Sequence, residues 1–142
     1  MAMQLPRRKQ REILLQLLFS WEVSNGSSFE ENVVLLMESL EVSRKNVMGM
    51  EERFGDIVAR LAEIDGIFAE ASQEYALDRI SVVDKNILRI AIFELRFEKD
   101  EPRIVIEEAL RLSKKFSTPE AVSFVHAVVD EVNKSGEVVL SV

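Results

Sequence analysis

Residues 82–95 of the chain read VVDKNILRIAIFEL, and this stretch decides the fold class. Its apolar residues occupy most of the circumference of a helix, whereas a helix at the surface of a domain carries them on a single stripe. The residues Ser81-Val82-Val83-Asp84 at its start are typical of a helix N-cap. The pattern therefore predicts a helix that is central in the fold and buried.

The segments before this helix place apolar residues three and four positions apart, which is typical of amphipathic helices. Pro6 suits a first helical turn, Asn25-Gly26 is expected to end the first helix, and Asp65-Gly66 a later one. Ser28-Phe29-Glu30-Glu31 has the spacing of a capping box and predicts another helix start. The four apolar stripes are Ile13, Leu14, Leu17, Leu18 and Trp21; Val33, Leu36, Met37 and Leu40; Val47, Met50, Phe54, Ile57, Val58, Leu61 and Ile64; and Phe68 with Tyr75.

Two later segments, IVIEEALRLSKKF (104–116) and AVSFVHAVVDEV (121–132), contain enough β-branched residues to suggest strands. Both are longer than typical strands, and polar residues interrupt them at helical spacing. Pro102 marks the turn before the first segment, and Thr118-Pro119 supplies an N-cap and a first-turn proline for the second. We therefore predict two more helices, and a compact all-α domain of about six or seven helices in total.

Composition limits the class of protein. The chain has 142 residues, of which 47% are hydrophobic and 30% charged, as expected of one globular domain. No stretch approaches 18 uncharged apolar residues and no secretory pattern opens the chain, so we expect a cytoplasmic protein without a membrane span. The absence of cysteine excludes disulfides, thiolate metal sites and cysteine nucleophiles.

Positive charge is concentrated at the N-terminus. Arg7, Arg8, Lys9 and Arg11 precede the first acidic residue, and the net charge is -7. The chain from Glu12 onward therefore carries 14 cations against 25 anions, a net charge of -11. Cations at a helix N-terminus oppose the macrodipole, so local structure gains nothing from them. Two interpretations stay open. The cations are either a solvated helix start or a site for an external anion, and nucleic acid is favoured over an acidic membrane surface as that anion.

Residues with catalytic chemistry are nearly absent. The five glycines are scattered, so no glycine-rich phosphate loop exists, and His126 has no second histidine with which to form a common metal site. Adjacent acids such as Glu107-Glu108 point about 100° apart on a helix, which suits solvation rather than a shared proton. We expect no catalytic residue, no metal, no cofactor and no enzymatic activity.

Two aromatic residues lie off the apolar stripes of their helices. At 100° per residue, Phe19 falls opposite the first stripe, in the row Arg8, Glu12, Leu15 and Phe19. Guanidinium groups can pair with phosphates while a base stacks on the ring, which is how single-stranded RNA is commonly held. The alternative is that Phe19 packs against another bundle or a dimer mate. Phe124 lies about 130° off the predicted core stripe of the last helix, and burial is equally credible there. That stripe consists of Val122, Val125, Val129 and Val132.

Three segments resemble the NusB family of transcription antitermination factors. They are RRKQREILLQLLFSWEV (7–23), LDRISVVDKNILRIAIFEL (77–95) and PRIVIEEALRLSKKFSTPEAVSFVHAVVDEV (102–132), and the resemblance covers essentially the whole chain in order. The central family motif is matched by Asp84, Lys85, Leu88, Arg89, Ala91, Phe93, Glu94 and Leu95.

The resemblance implies one RNA-binding domain over residues 1–142, made of two small helical bundles at about 5–64 and 65–134. It implies binding to the boxA element of single-stranded leader RNA together with NusE, a small-subunit ribosomal protein. The assembly would help RNA polymerase to read through terminators in ribosomal RNA operons. Family members are monomers or homodimers.

Site residues follow from the resemblance position by position. Asp84 matches an acidic position associated with NusE contact. The residues that match RNA-binding positions are Arg7, Arg8, Lys9, Arg11, Phe19, Glu120 and Phe124.

The chain departs from the family where His-Lys-Phe-Val-Asn-Gly is usual, since residues 122–127 read VSFVHA, and Ser117 replaces a common glycine. The loss of a cation and an amide there implies weaker RNA binding and more dependence on the partner. The competing function, from a different class, is a non-enzymatic helical adaptor whose basic N-terminus is solubilising or docks an acidic protein.

Overall fold

The computed structural model describes residues 5–25, 43–72 and 79–140, with side chains as far as residue 136. These residues form seven α-helices and no β-strand, so the all-α prediction is confirmed. The helix start predicted at Ser28, the stripe predicted from Val33 to Leu40 and the stripe position Tyr75 lie outside the described residues. Within the described ranges, no helix has the length and hydropathy of a membrane span. The helices are α1 (Arg7–Val23), α2 (Arg44–Met48), α3 (Glu51–Ala59), α4 (Leu61–Ala71), α5 (Val82–Arg96), α6 (Pro102–Phe116) and α7 (Pro119–Leu140).

Contacts divide the chain into two compact units, Met1–Ala59 and Arg60–Val142. In the first unit α1 packs against α3. The rings of Trp21 and Phe54 meet edge to face there, with their centroids 6.5 Å apart. Such an aromatic pair contributes about 0.5 to 1.5 kcal/mol beyond the area it buries, so this contact helps to fix the packing of the first unit.

The second unit is built around α5, which packs against α4, α6 and α7. Ser81 caps its N-terminus, and the Ser81 Oγ accepts a hydrogen bond from the backbone N–H of Asp84 at 3.1 Å. The prediction of a central, buried helix is therefore confirmed. Its buried apolar side chains are Ile87, Leu88, Ile90, Ala91, Ile92 and Phe93.

A partly buried ion pair joins α5 to α4. The Arg89 Nε and Nη2 atoms donate to the two carboxylate oxygens of Asp65 at 2.9 and 2.8 Å, in a bidentate arrangement. A third guanidinium nitrogen donates to Asn86 Oδ1 at 3.1 Å, and the Asn86 amide donates to the Val82 carbonyl at 2.8 Å. Burial of a charge is tolerable only when it is paired in this way, so the network fixes α4 on α5.

The helix end expected at Asp65-Gly66 is wrong, because α4 runs unbroken from Leu61 to Ala71. A glycine in a helix interior costs about 1 kcal/mol relative to alanine, which does not by itself end a helix. The ion pair of Asp65 with Arg89 adds a tertiary contact that favours the helical conformation at this point. The predicted stripe from Val47 to Ile64 is interrupted instead after Met48, where α2 ends, and at Arg60, the N-cap residue of α4.

Both β-branched segments near the C-terminus are helical, as predicted. Pro102 occupies the first turn of α6, and α7 begins at Pro119. Proline is favoured there because its missing N–H belongs to the donors that a helix start leaves unbonded. Val125, Val129 and Val132 of the predicted valine stripe are buried, whereas Val122 in the first turn is half-buried.

The C-terminal part of α7 is held by a side chain from α5. The Arg96 Nη2 atom donates to the Val132 carbonyl at 3.0 Å and to the Ser135 Oγ at 2.8 Å. A Cβ atom at Gly136 would lie 3.0 Å from the Arg96 Nε atom. Glycine at this position therefore gives the guanidinium room to reach the helix backbone.

Candidate nucleic-acid interface

The N-terminus of α1 is built to favour an anion. Pro6 is the N-cap residue, no side chain caps the helix, and the first turn contains no acidic residue. The backbone N–H groups of a first helical turn have no partner within the helix and carry partial positive charge. An external phosphate or carboxylate group would satisfy these groups better than any side chain of this turn does.

The structure separates the four predicted cations into two groups. Arg7 and Arg8 are exposed, and the Lys9 side chain is 37% exposed, so all three lie at the surface of the first turn. Arg11 is only 4% exposed. It stands where the buried part of α1 begins, since from residue 11 to residue 18 only Gln16 is not buried. Phosphates can therefore reach the first three cations much more readily than they can reach Arg11.

Phe19 is half-buried near the C-terminal end of α1. The row that contains Arg8 and Phe19 is covered at the two positions between them, because Glu12 and Leu15 are buried. Helical phase cannot show this, since it identifies the most apolar face but not a second face that is also covered. Phe19 lies 11 residues after Arg8, about 16 Å along the helix axis, so the two can share only an extended ligand.

In the second unit the predicted residues lie at the start of α7. Glu120 is exposed in the first turn, and Phe124 is half-buried one turn later. At the departures from the family pattern, Ser123, His126 and Ala127 are exposed, so these changes alter the surface rather than the core. Each unit thus brings part of the predicted set together on one helix.

Sequence reasoning missed a cationic and aromatic group just before α7. Lys114 and Lys115 are exposed in the last turn of α6, and the Lys115 Nζ atom lies 5.4 Å from the centre of the Phe116 ring. The signal was the sequence Lys-Lys-Phe directly before a helix start. Ser117 follows with φ of -121°, an extended backbone that any residue adopts, so serine in place of the family glycine causes no strain.

Asp84 serves first as part of the α5 cap. It is 8% exposed, and its Oδ2 atom accepts a hydrogen bond from the Ser81 Oγ at 2.9 Å. Its Oδ1 atom has no hydrogen-bond partner among the described residues. Contact with a protein partner therefore stays a prediction, and it would have to use a carboxylate that is largely covered.

One group of acids has the proximity that a metal ion requires. Among the described residues, Glu94, Glu98 and Asp100 each offer one carboxylate oxygen, and these oxygens lie within 4.8 Å of one another. All three residues already make other polar contacts. Acidic groups commonly lie this close without a metal, so no metal is assigned to the group.

The pattern of helices and the position of the basic residues agree with a comparison to known families. The NusB family model matches residues 8–134. The chain belongs to the NusB family. The transcription antitermination protein NusB of Lachnoclostridium phytofermentans is 38% identical over 128 residues, which cover 89% of this chain and 97% of that protein. The family resemblance found in the sequence is thereby confirmed.

Solved structures agree with this assignment. NusB from T. maritima is 30% identical and superposes with a TM-score of 0.77, with 93% of each chain covered. A second similar structure contains the antitermination factors NusB and NusE in complex with double-stranded RNA. Its NusB-like chain is 25% identical, with a TM-score of 0.77 over 91% of this chain and 96% of that chain.

Proposed function

We propose that this protein is an RNA-binding transcription antitermination factor. It binds boxA leader RNA together with NusE and promotes read-through of ribosomal RNA operons by RNA polymerase. Membership of the NusB family supports this proposal, as does the similarity to a NusB that was solved with NusE and RNA. The single observation that carries it is the exposed pair Arg7 and Arg8 on an uncapped helix N-terminus, in a chain whose net charge is negative.

Phosphate is the ligand that this turn fits best. A guanidinium group binds phosphate oxygens through two parallel N–H bonds, and free backbone N–H groups at a helix start bind the same anion. A carboxylate would fit too, but the rest of the chain carries a net charge of -11 and would repel an acidic protein. The charge distribution therefore favours RNA at this turn and a basic protein elsewhere.

NusE is the proposed basic partner. An acidic body binds RNA poorly by itself, and cations brought by a ribosomal protein would extend the positive path beyond α1. We propose that NusE binds the second unit near Asp84 and that RNA affinity rises when it is bound. A partner that contacts Asp84 would have to use a carboxylate that is largely covered.

The second unit would add RNA contacts of its own. Lys114 and Lys115 are exposed, and the half-buried rings of Phe116 and Phe124 would supply the aromatic surface on which bases stack. Glu120 repels phosphates but can accept a hydrogen bond from a base amino group, which is a contact that reads sequence. We therefore propose that α1 contributes mainly affinity and the start of α7 contributes base preference.

A protein with this role needs no reaction centre. We propose that it is not an enzyme and that it acts in the cytoplasm, where RNA polymerase transcribes ribosomal RNA operons. Its working surfaces would be those for RNA, for NusE and for the polymerase assembly.

Replacing Arg7 and Arg8 together with alanine is expected to flatten the salt dependence of RNA binding. Each neutralised phosphate contributes about -0.7 to the slope of log affinity against log salt for a single strand. Two exposed arginines therefore account for about -1.4 of the slope, whereas all four predicted cations would give about -3. Filter binding of a boxA RNA at several salt concentrations measures the change.

The matched control is Arg44→Ala combined with Arg103→Ala, which removes two exposed arginines from other helices. The control should keep the wild-type slope. A slope that Arg7→Ala and Arg8→Ala leave unchanged would place the RNA elsewhere on the molecule. Absence of RNA binding at every salt concentration would favour the adaptor function, in which the basic turn is solubilising.

A further inference from the structure

Glu12 follows the first turn of α1, which contains Arg7, Arg8 and Lys9, and it is the first acidic residue of the chain. Its carboxylate is covered, since the side chain is 8% exposed, and the residue takes part in further polar contacts. The Glu12 Oε2 atom lies 3.9 Å from the Lys9 Nζ atom, which is the distance of an ion pair but too long for a hydrogen bond. A fixed negative charge therefore lies beside Lys9.

This ion pair contributes little to the helix itself. A lysine placed N-terminal to its glutamate has the less favourable orientation on a helix, and a cation in the first turn opposes the macrodipole. The two partners also differ in freedom, because the Lys9 side chain is 37% exposed whereas that of Glu12 is 8% exposed. The Lys9 side chain can therefore move away from the pair, whereas the covered Glu12 side chain stays in place.

We propose that Glu12 is an internal counterion that withholds Lys9 from RNA phosphates and thereby limits RNA affinity. The proposal rests on the proposed function, since it concerns the same RNA-binding turn. A phosphate that approaches Lys9 must displace the Glu12 carboxylate and then remain near its negative charge. Lys9 consequently contributes less to the salt slope than the value of about -0.7 expected of one fully neutralised phosphate. Glu12 acts through Lys9 and is a positioning residue, not a contact of the RNA.

Glu12→Gln tests the proposal, because glutamine keeps the shape and removes the charge. RNA should bind about two- to fivefold more tightly at low salt, the range that corresponds to one weak ion pair. The slope of log affinity against log salt should become steeper by up to about 0.7, since one more phosphate is neutralised. The gain should fade as salt increases. A purely structural role of Glu12 would not change the slope in this direction.

Lys9→Met in both backgrounds shows whether the gain passes through Lys9. The substitution should weaken binding more in the Glu12→Gln protein than in the wild type. Glu107→Gln is the matched control, because it makes the same charge change on α6 at an exposed ion pair with Arg103. Its affinity and slope should equal those of the wild type.

Unchanged affinity and slope in a folded Glu12→Gln protein would overturn the inference while leaving the proposed function intact. Failure of the wild-type protein to bind RNA, with and without NusE, would instead contradict the proposed function. If Glu12→Gln does not fold, the single variant Lys9→Met decides the question. It should flatten the wild-type slope by clearly less than the value of about 0.7 for one neutralised phosphate, and a change of 0.7 or more would overturn the proposal.

Discussion

Asp65→Ala is expected to lower the free energy of unfolding by about 3 kcal/mol, the lower end of the cost of breaking a buried ion pair by removing one partner, because Asp65 itself is 26% exposed. The variant leaves the Arg89 guanidinium with 6% of its side chain exposed and without the carboxylate that accepts two of its hydrogen bonds. Arg89→Met should cost less, because the carboxylate left behind is 26% exposed and can be hydrated. Urea unfolding followed by circular dichroism measures all of these changes.

The double variant Asp65→Ala with Arg89→Met should recover part of the loss of the single Asp65 variant, because the buried charge that Asp65 balanced is removed as well. Asp130→Ala is the matched control, since it breaks the exposed pair with Lys134 and should cost no more than about 1 kcal/mol. A loss below about 1 kcal/mol for Asp65→Ala as well would show that the pair does not hold α4 on α5.

Phe19→Ala is expected to weaken RNA binding by about 1 to 3 kcal/mol, the range for loss of one base-stacking ring. The salt slope should stay nearly unchanged, because stacking releases no counterions. The ring is half-buried, so its removal should also lower the free energy of unfolding, but by less than the 3 to 5 kcal/mol typical of a phenylalanine that is fully buried. RNA titration and thermal melts of the same samples separate the two effects.

Phe19→Tyr sharpens this test. A ring edge that faces solvent accepts a hydroxyl group without cost, whereas a buried ring would have to desolvate it. RNA binding of the tyrosine variant should therefore equal or exceed that of the wild type. A melting temperature that falls sharply for both variants, with RNA affinity of the folded fraction unchanged, would place Phe19 in the core and remove it from the RNA site.

The central helix could be predicted from the sequence because its signal is local. The apolar residues of VVDKNILRIAIFEL surround the helix, and the cap at Ser81 lies next to them. The continuation of α4 through Asp65-Gly66 could not be predicted in this way. The helical conformation there is favoured by a contact with Arg89, which is 24 residues away in the sequence. A local pattern of turn-forming residues cannot predict such a distant contact.

The cluster of cations at the start of α1 could likewise be predicted from charge alone. Which of these cations are exposed could not be predicted in this way. Arg7 and Arg11 are both arginines near the N-terminus, and only the structure shows that the first is exposed and the second buried. Helical phase predicts one buried face, whereas α1 is covered on more than one face from Arg11 onward. Burial of that kind depends on tertiary packing, which periodicity within one helix does not record.

Affinity for a boxA RNA, measured by filter binding with and without NusE, tests the central claim most directly. The account predicts salt-dependent binding that becomes tighter when NusE is added and weaker when Arg7 and Arg8 are replaced with alanine. A scrambled single strand should bind less tightly than boxA, and a double-stranded RNA should be included because the similar NusB and NusE complex was solved with one. No binding of any RNA to an equimolar mixture of the two folded proteins at micromolar concentration would contradict the account.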